Sequence, residues 1–401
     1  MNSQTLFNNY IIAGVEASLA RVRAAEYVVP EADRQQAWQI LSFALKVDEA
    51  WPVTRELLLE LAPKMEMAGF REEWIPYLEQ GLYYAKCVGD GQVAAGCELQ
   101  MGILYRLMSQ YEEAHQLIQA SVVQFVKQNH AVGQANALNE LAWLAHLQHH
   151  YAAAEKYVEQ AIALSTSDQQ VLANARRIQG MIAIGNRQWT EAVDLHHQAL
   201  TLFQQLDDKR KSAWSIQNIG YALNELGRLD EAESYLRQAI ERLQMLNDSY
   251  HLAIAKMNLA NVLVNQGNAT PAHELFVAAQ QVFETHGDRL NQARVQTNLG
   301  IVLLDLQVYS DSQARFRIAA RLYEDLGDQI WHINALDGLV MALTSNRQYS
   351  DAIEIADKGL ALLPNIYGTA YYENLLGKLT NHRNEAVRHG GHNCTISCDL
   401  H

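Results

Sequence analysis

The sequence predicts an all-α chain, a solenoid of about eight helix pairs with further helices capping both ends. Three observations carry this. Residues 209–248 read as two amphipathic helices joined by a tight turn. That forty-residue unit recurs along the chain. Helix breakers are scarce, with six Pro and 22 Gly among 401 residues, while Ala, Leu and Gln abound.

Within the unit, one helix is expected over residues 211–225 and a second over 230–246. Apolar residues recur at Ile216, Ile219, Leu223 and Leu226, then at Leu236, Ile240, Leu243 and Leu246. Three-to-four spacing puts each set on one stripe of its helix. Gly227 supplies the turn, and Asp230 is a candidate cap for the second helix. Two helices this short cannot bury both stripes alone, so they need neighbours.

The neighbours stand forty residues away on either side. Gly220 maps onto Gly180, Ala260, Gly300 and Val340; Ala232 onto Ala192, Ala272, Ser312 and Ala352; Ala239 onto Ala199, Ala279, Ala319 and Gly359. Small residues at fixed places in a long period mean helices pressed together, unit after unit, which is the mark of a solenoid. Asp208, Asp248, Asp288 and Asp328 repeat in the loops between units and suit capping or turn formation.

Gly220, Ala232 and Ala239, with Leu223 and Leu236 at larger packing positions, resemble the tetratricopeptide repeat, in its long form found in kinesin light chains and bacterial peptide-sensing proteins. The resemblance covers residues 53–368. It implies a right-handed superhelix whose first helix in each pair lines a concave surface, and a non-catalytic role in binding proteins or peptides. Fold alone does not choose the ligand.

Taken in order, residues 1–52 lack a clear repeat and are expected to form a helical cap or degenerate repeat, with helices over 5–27 and 31–47 separated by Pro30. The array then runs 53–92, 93–130, 131–168, 169–208, 209–248, 249–288, 289–328 and 329–368. In the first repeat Trp74 stands where Ala is expected, which should splay the pair or mark an end unit. Ala161 to Ala199 is thirty-eight residues, a two-residue shortening. In the last repeat Val340 replaces Gly, and Pro364 should end the second helix early. Residues 369–385 read as a capping helix, and 386–401 as a flexible Cys/His tail outside the solenoid.

Composition excludes several classes. A formal net charge of −14 without a basic stripe argues against nucleic acid; the run Lys209, Arg210 and Lys211 reads as solvated. No apolar stretch approaches membrane-spanning length, and the first residues lack a secretory pattern, so a cytoplasmic location is expected. Cys87 and Cys97 fall in helical positions and read as buried small hydrophobes. No phosphate-binding loop, nucleophile elbow or zinc-protease motif is present, so neither catalysis nor a cofactor is expected. The adjacent pairs His149–His150 and His196–His197 diverge by about 100° on a helix and read as ordinary surface or packing residues.

Two constellations remain. Asn218, Asn258 and Asn298 recur at forty-residue spacing on the first helices of three successive units, ending at Ile178 and Gly338. An amide donates and accepts at once, so such a row could grip the backbone of an extended peptide; it could equally bond to the neighbouring helix and hold the stack. Tyr221, Asn224 and Asn261 lie on adjoining faces, and Arg177 and Arg294 could supply charge. In the tail, His392, Cys394, Cys398 and His401 could ligate zinc. Gly390–Gly391 before a short Cys-, Ser- and Thr-containing end also resembles the leader–core junction of modified peptides, which would make the solenoid a handle for processing its own tail.

Overall fold

The computed structural model describes residues 3–25, 28–164 and 168–396, the side chains of residues 3, 67 and 391–396 excepted. Among them there are nineteen α-helices and no strand. They are α1 (Ser3–Ala24), α2 (Glu31–Ala44), α3 (Trp51–Met67), α4 (Arg71–Val88), α5 (Gly91–Leu107), α6 (Tyr111–Lys127), α7 (Ala131–Leu147), α8 (Tyr151–Leu164), α9 (Gln169–Gly185), α10 (Trp189–Gln205), α11 (Lys209–Glu225), α12 (Leu229–Met245), α13 (Ser249–Asn265), α14 (Ala269–Thr285), α15 (Arg289–Asp305), α16 (Tyr309–Asp325), α17 (Gln329–Ser345), α18 (Tyr349–Leu362) and α19 (Tyr372–Ile396). The all-α solenoid expected from the sequence is the fold observed.

From α3 to α18 the described turns are made in the same way. A residue with positive φ stands at 69, 89, 109, 129 and 149, and again at 187, 207, 227, 247, 267, 287, 307, 327 and 347. This left-handed residue lets the next amide reach back to the helix just ended, as Arg228 N does to Leu223 O at 3.0 Å and His150 N to Ala145 O at 2.8 Å. Gly fills some of these places at little cost, but Ser109, Asn129, His149, Arg187, Asp207, Asn247, Gln307 and Arg347 fill the rest. The interval from 149 to 187 carries the two-residue shortening.

The inter-repeat aspartates act as caps. Asp208, Asp248, Asp288 and Asp328 accept the backbone N–H three residues on, at 2.9, 3.1, 3.0 and 3.1 Å. Asp168 caps α9 likewise. Some also reach back one repeat: Asp90 Oδ2 accepts from Arg55 at 2.8 Å and Trp51 at 3.3 Å, and Asp248 Oδ2 from Arg210 at 2.7 Å and Trp214 at 3.3 Å. Asp230 is not a cap. It lies in the first turn of α12, where a carboxylate still favours the helix dipole.

The chain falls into two compact units, residues 1–222 with 238–252 and residues 223–237 with 253–401. In the first unit α1 and α2 close the N-terminal end. Trp74 is 0 % exposed and sits edge-on to Trp38 at 6.1 Å and stacked on Tyr77 at 5.3 Å. The bulky ring thus packs against α2 at the end of the array, as an end unit allows. Gly180 meets the His196 ring, where an added Cβ would lie 2.7 Å away. Arg71, at the start of α4, places its guanidinium 4.9 Å from the Tyr250 ring at the start of α13. The repeats between therefore curl round an inner face.

The second unit packs α14 to α18 in sequence and ends on α19. Gly300 and Gly338 both face the Phe316 ring, where an added Cβ would stand 2.9 and 2.3 Å away. That crowding explains why the Asn row gives way to Gly338. Val340 is fully buried in the terminal core, with Leu375 and Leu379 of α19. Pro364 does end α18, handing over to a short 3₁₀ turn at Leu363–Ile366. The expected break at Ala386 is not found: Ala386 is fully buried, α19 continues to Ile396, and an added Cβ on Gly390 would stand 3.2 Å from Tyr349. Past Ala386 the helix still lies against α18, with the His389 ring stacked on Tyr349 at 6.0 Å.

Candidate functional site

The inner face of the first unit gathers charge and aromatic rings from successive odd-numbered helices. Arg106 at the end of α5 bonds to Glu140 of α7 at 3.1 Å. One turn on, Trp143 offers its ring to Arg177 of α9, whose guanidinium lies 4.9 Å from its centroid and 5.8 Å from that of Trp214 on α11. Trp214 is shared: Arg210 stands 4.6 Å over it, and the His251 ring stacks on it at 3.9 Å. Arg210 is held by Asp248, which also takes the His251 Nδ1 at 3.0 Å.

Burial and neighbours set the charges. Burial alone would discourage ionisation of Asp248, but His251 and Arg210 outweigh it and hold its carboxyl well below the usual range. Burial lowers the His251 imidazole, against the pull of Asp248. The Arg177 guanidinium is lowered by burial to about 10, with Glu140 opposing, and so stays cationic at neutral pH. Its Nε is sealed from solvent without a hydrogen bond. Gln217, one repeat on from Arg177, has a sealed and unbonded Oε1. Burial also raises the Glu66 carboxyl at the end of α3, although Arg210, Arg106 and Arg71 pull it down.

Lys209 of the basic run is exposed, as expected, but Arg210 and Lys211 are not simply solvated. Arg210 and Asp248 are both largely buried, and Lys211 lies 3.7 Å from Asp208 and over the Phe203 ring. Sequence reasoning missed Trp143, Trp214 and Arg210 as parts of one site. The available signal was two Trp residues on the first helices of repeats whose other members carry smaller groups there. The helix period alone could not show that these rings meet one arginine.

The expected peptide contacts divide between the units. Arg177, Asn218 and Tyr221 belong to the first; Asn224, Asn258, Asn261, Arg294 and Asn298 belong to the second. Asn224 is committed to packing, accepting from Asn265 at 2.9 Å. Arg294 bonds to Asn291 at 3.2 Å. By contrast, the amides of Asn218, Asn258, Asn261 and Asn298 make no hydrogen bond with a described residue. Asn258 is only 7 % exposed, yet its amide still reaches solvent.

His196 fills a core slot, 0 % exposed, with both ring nitrogens unbonded. Burial, reinforced by Arg177, pushes its imidazole down to about 3. His149 takes a left-handed turn position and bonds to the Tyr151 hydroxyl at 2.8 Å. Cys97 is buried and its thiol is pushed up to about 12, mainly by burial. Cys87 is exposed, contrary to expectation, because the end of α4 presents it outward.

Among the described residues no group of three or more His, Cys, Asp or Glu side chains could hold a metal. The tail candidates are not tested by this. Cys398 and His401 lie outside the described residues, as do the side chains of His392 and Cys394. Gly390 and Gly391 lie within α19 rather than in an extended junction. No described helix is long and apolar enough to cross a membrane.

Comparison with known proteins supports the repeat assignment. Residues 171–245 match the tetratricopeptide repeat family model. No curated protein matches the chain. Among solved structures, NprR in complex with its cognate peptide NprX aligns at 10% identity over 71% of this chain and 82% of that one, with a TM-score of 0.52. A signal-transduction ATPase with numerous domains and a tetratricopeptide repeat sensor, from Pyrococcus horikoshii, aligns at 12% identity over 87% of this chain and 55% of that one, with a TM-score of 0.51. At such identities the likeness is one of fold. The tetratricopeptide repeat is thus matched over residues 171–245, and helix hairpins of the same kind continue on both sides of them.

Proposed function

We propose that the chain is a non-catalytic scaffold or sensor that binds an extended peptide segment on the faces lined by its odd-numbered helices. One observation carries this: the amides of Asn258, Asn261 and Asn298 in the second unit make no hydrogen bond with a described residue. Had they served to hold the stack, they would be bonded as Asn224 and Asn265 are. A half-buried amide left open matches the alternating donors and acceptors of a peptide backbone. Asn218 offers a similar group in the first unit. The fold is one on which NprR holds its cognate peptide, which agrees with this reading without assigning residues.

A degenerate pool of fluorescein-labelled octapeptides, titrated against the full chain and read by anisotropy, tests the proposal. Each backbone hydrogen bond contributes roughly 0.5–1.5 kcal/mol net. Replacing Asn258 and Asn298 together by Ala should therefore weaken binding by about fivefold to a hundredfold. Unchanged affinity in the double variant, with its helical content intact, would sink the role of these amides.

A further inference from the structure

The free amides recognise backbone and say nothing of which side chains a ligand carries. Arg177 does. Its guanidinium makes no hydrogen bond or ion pair with a described residue, and its Nε is sealed from solvent. Nearby cations are answered: Arg106 by Glu140, Arg210 by Asp248 and Lys211 by Asp208. Arg177 Cζ stands over the Trp143 and Trp214 rings, 4.9 and 5.8 Å from their centroids. Stacking of this kind occupies the π-face of a guanidinium and leaves its edge, where the N–H donors lie, for an in-plane partner. The planar partner that fits such an edge is a carboxylate, which accepts two parallel N–H bonds. A partly buried cation without that partner carries a desolvation cost that an arriving carboxylate would relieve.

We propose that Arg177, clamped between Trp143 and Trp214, is the anchor for a carboxylate of the bound peptide, from an acidic side chain or from the C-terminus. This rests on the peptide-binding reading above and adds the ligand's chemistry to it. Gln217, at the corresponding place one repeat on, supplies a second unmet polar group, an acceptor suited to a peptide N–H. The chain as a whole is acidic, at −14, so the preference is local and comes from this contact rather than from overall charge.

The test uses the full chain and three pools of N-terminally labelled degenerate octapeptides. The first has one fixed Glu and an amidated C-terminus, the second Gln at that place and the same amide, and the third Gln with a free carboxylate. One of the two carboxylate pools should bind at least tenfold more tightly than the neutral pool, and which one does identifies the source. Arg177→Gln should abolish that preference. Arg177→Lys should restore only part of it, because an ammonium keeps the charge but not the flat face between the indoles. Circular dichroism on both variants checks that the helices stand. A preference that survives in Arg177→Gln overturns the anchor. Equal binding of all three pools also overturns it while leaving peptide binding intact, and no binding of any pool removes both readings.

Discussion

The same backbone slot is filled differently in the two units. Opposite Gly180 in the first stands His196, and opposite Gly300 in the second stands Phe316, each sixteen residues on. Both rings are fully or almost fully buried. The imidazole carries two nitrogens without a partner, and the phenyl carries none. The close approach of two helices dictates a flat ring against a glycine and leaves the ring's chemistry open. The inner faces differ in the same spirit. The first unit sets Arg177 and Arg210 over tryptophans and pairs Arg106 and Arg210 with carboxylates, whereas the second carries three of the four open amides. Repetition fixes the frame, and the individual repeats differ in what they place on it.

The largest expected effect breaks the slot in the second unit. Phe316→Ala should cost about 3–5 kcal/mol, since the ring alone fills the space before Gly300 and Gly338. His196→Ala should cost clearly less, because it also removes two unbonded polar atoms. Urea unfolding of the two variants measures the difference, and equal losses would show that the unbonded nitrogens carry no penalty.

A comparable loss is expected from Asp248→Ala, about 3–5 kcal/mol, because the largely buried Arg210 loses its carboxylate along with the cap. Asp168→Ala removes a cap and should cost about 1 kcal/mol. Thermal melts of the pair decide whether the backward reach to Arg210 matters; similar shifts in Tm would refute it.

Acid sharpens the comparison further. The folded imidazole of His196 is lowered to about 3 from an unfolded value near 6.5. Above pH 6.5 both states are neutral there and nothing is lost. As pH falls below 6.5 the unfolded chain takes up a proton that the folded chain refuses, so stability declines towards pH 3. The loss is about 2 kcal/mol at pH 5. His382, raised by its 2.7 Å bond to Asp337, works in the opposite sense, with a contribution present at acid pH and lost as pH rises through its folded value. The difference between wild type and His196→Phe isolates the first effect. It should grow between pH 7 and pH 5, with the variant about 1–3 kcal/mol more stable even at pH 7. A constant difference across that range would contradict the neutral, unbonded imidazole.

The smallest effect concerns the turns. Arg347→Gly and Gln307→Gly should each stabilise by about 0.5 kcal/mol, the relief of a left-handed residue less the added chain entropy of glycine. Gly227→Ala should destabilise by about 1 kcal/mol. Chemical denaturation resolves both signs, and a loss in either glycine variant would show that the native side chain contributes a contact of its own.

Much of the fold was legible because a solenoid writes its packing into a period. Gly180, Gly300, Ala192 and Ala272 recur where helices touch, and Asp208, Asp248, Asp288 and Asp328 recur where helices begin. The turns were legible at Gly227 but not at Arg187 or Gln307, since the left-handed position is imposed by the hairpin whatever residue occupies it. The C-terminal helix was underestimated because residues after Ala386 lack an apolar stripe, and Ala386 is itself small.

The sequence by itself determined the repeat, its length, the helix pairs and the row of amides at constant spacing, because each depends on residues close together or one period apart. Tertiary structure alone decided which polar groups are open and which are spent. Asn224 and Asn258 look alike in sequence, yet one is bonded to Asn265 and the other is free. It also decided that Trp143, Arg177 and Trp214 meet, since contacts across three repeats depend on how the solenoid curls. That curl is the sum of many small packing angles, and no single stretch of sequence encodes it.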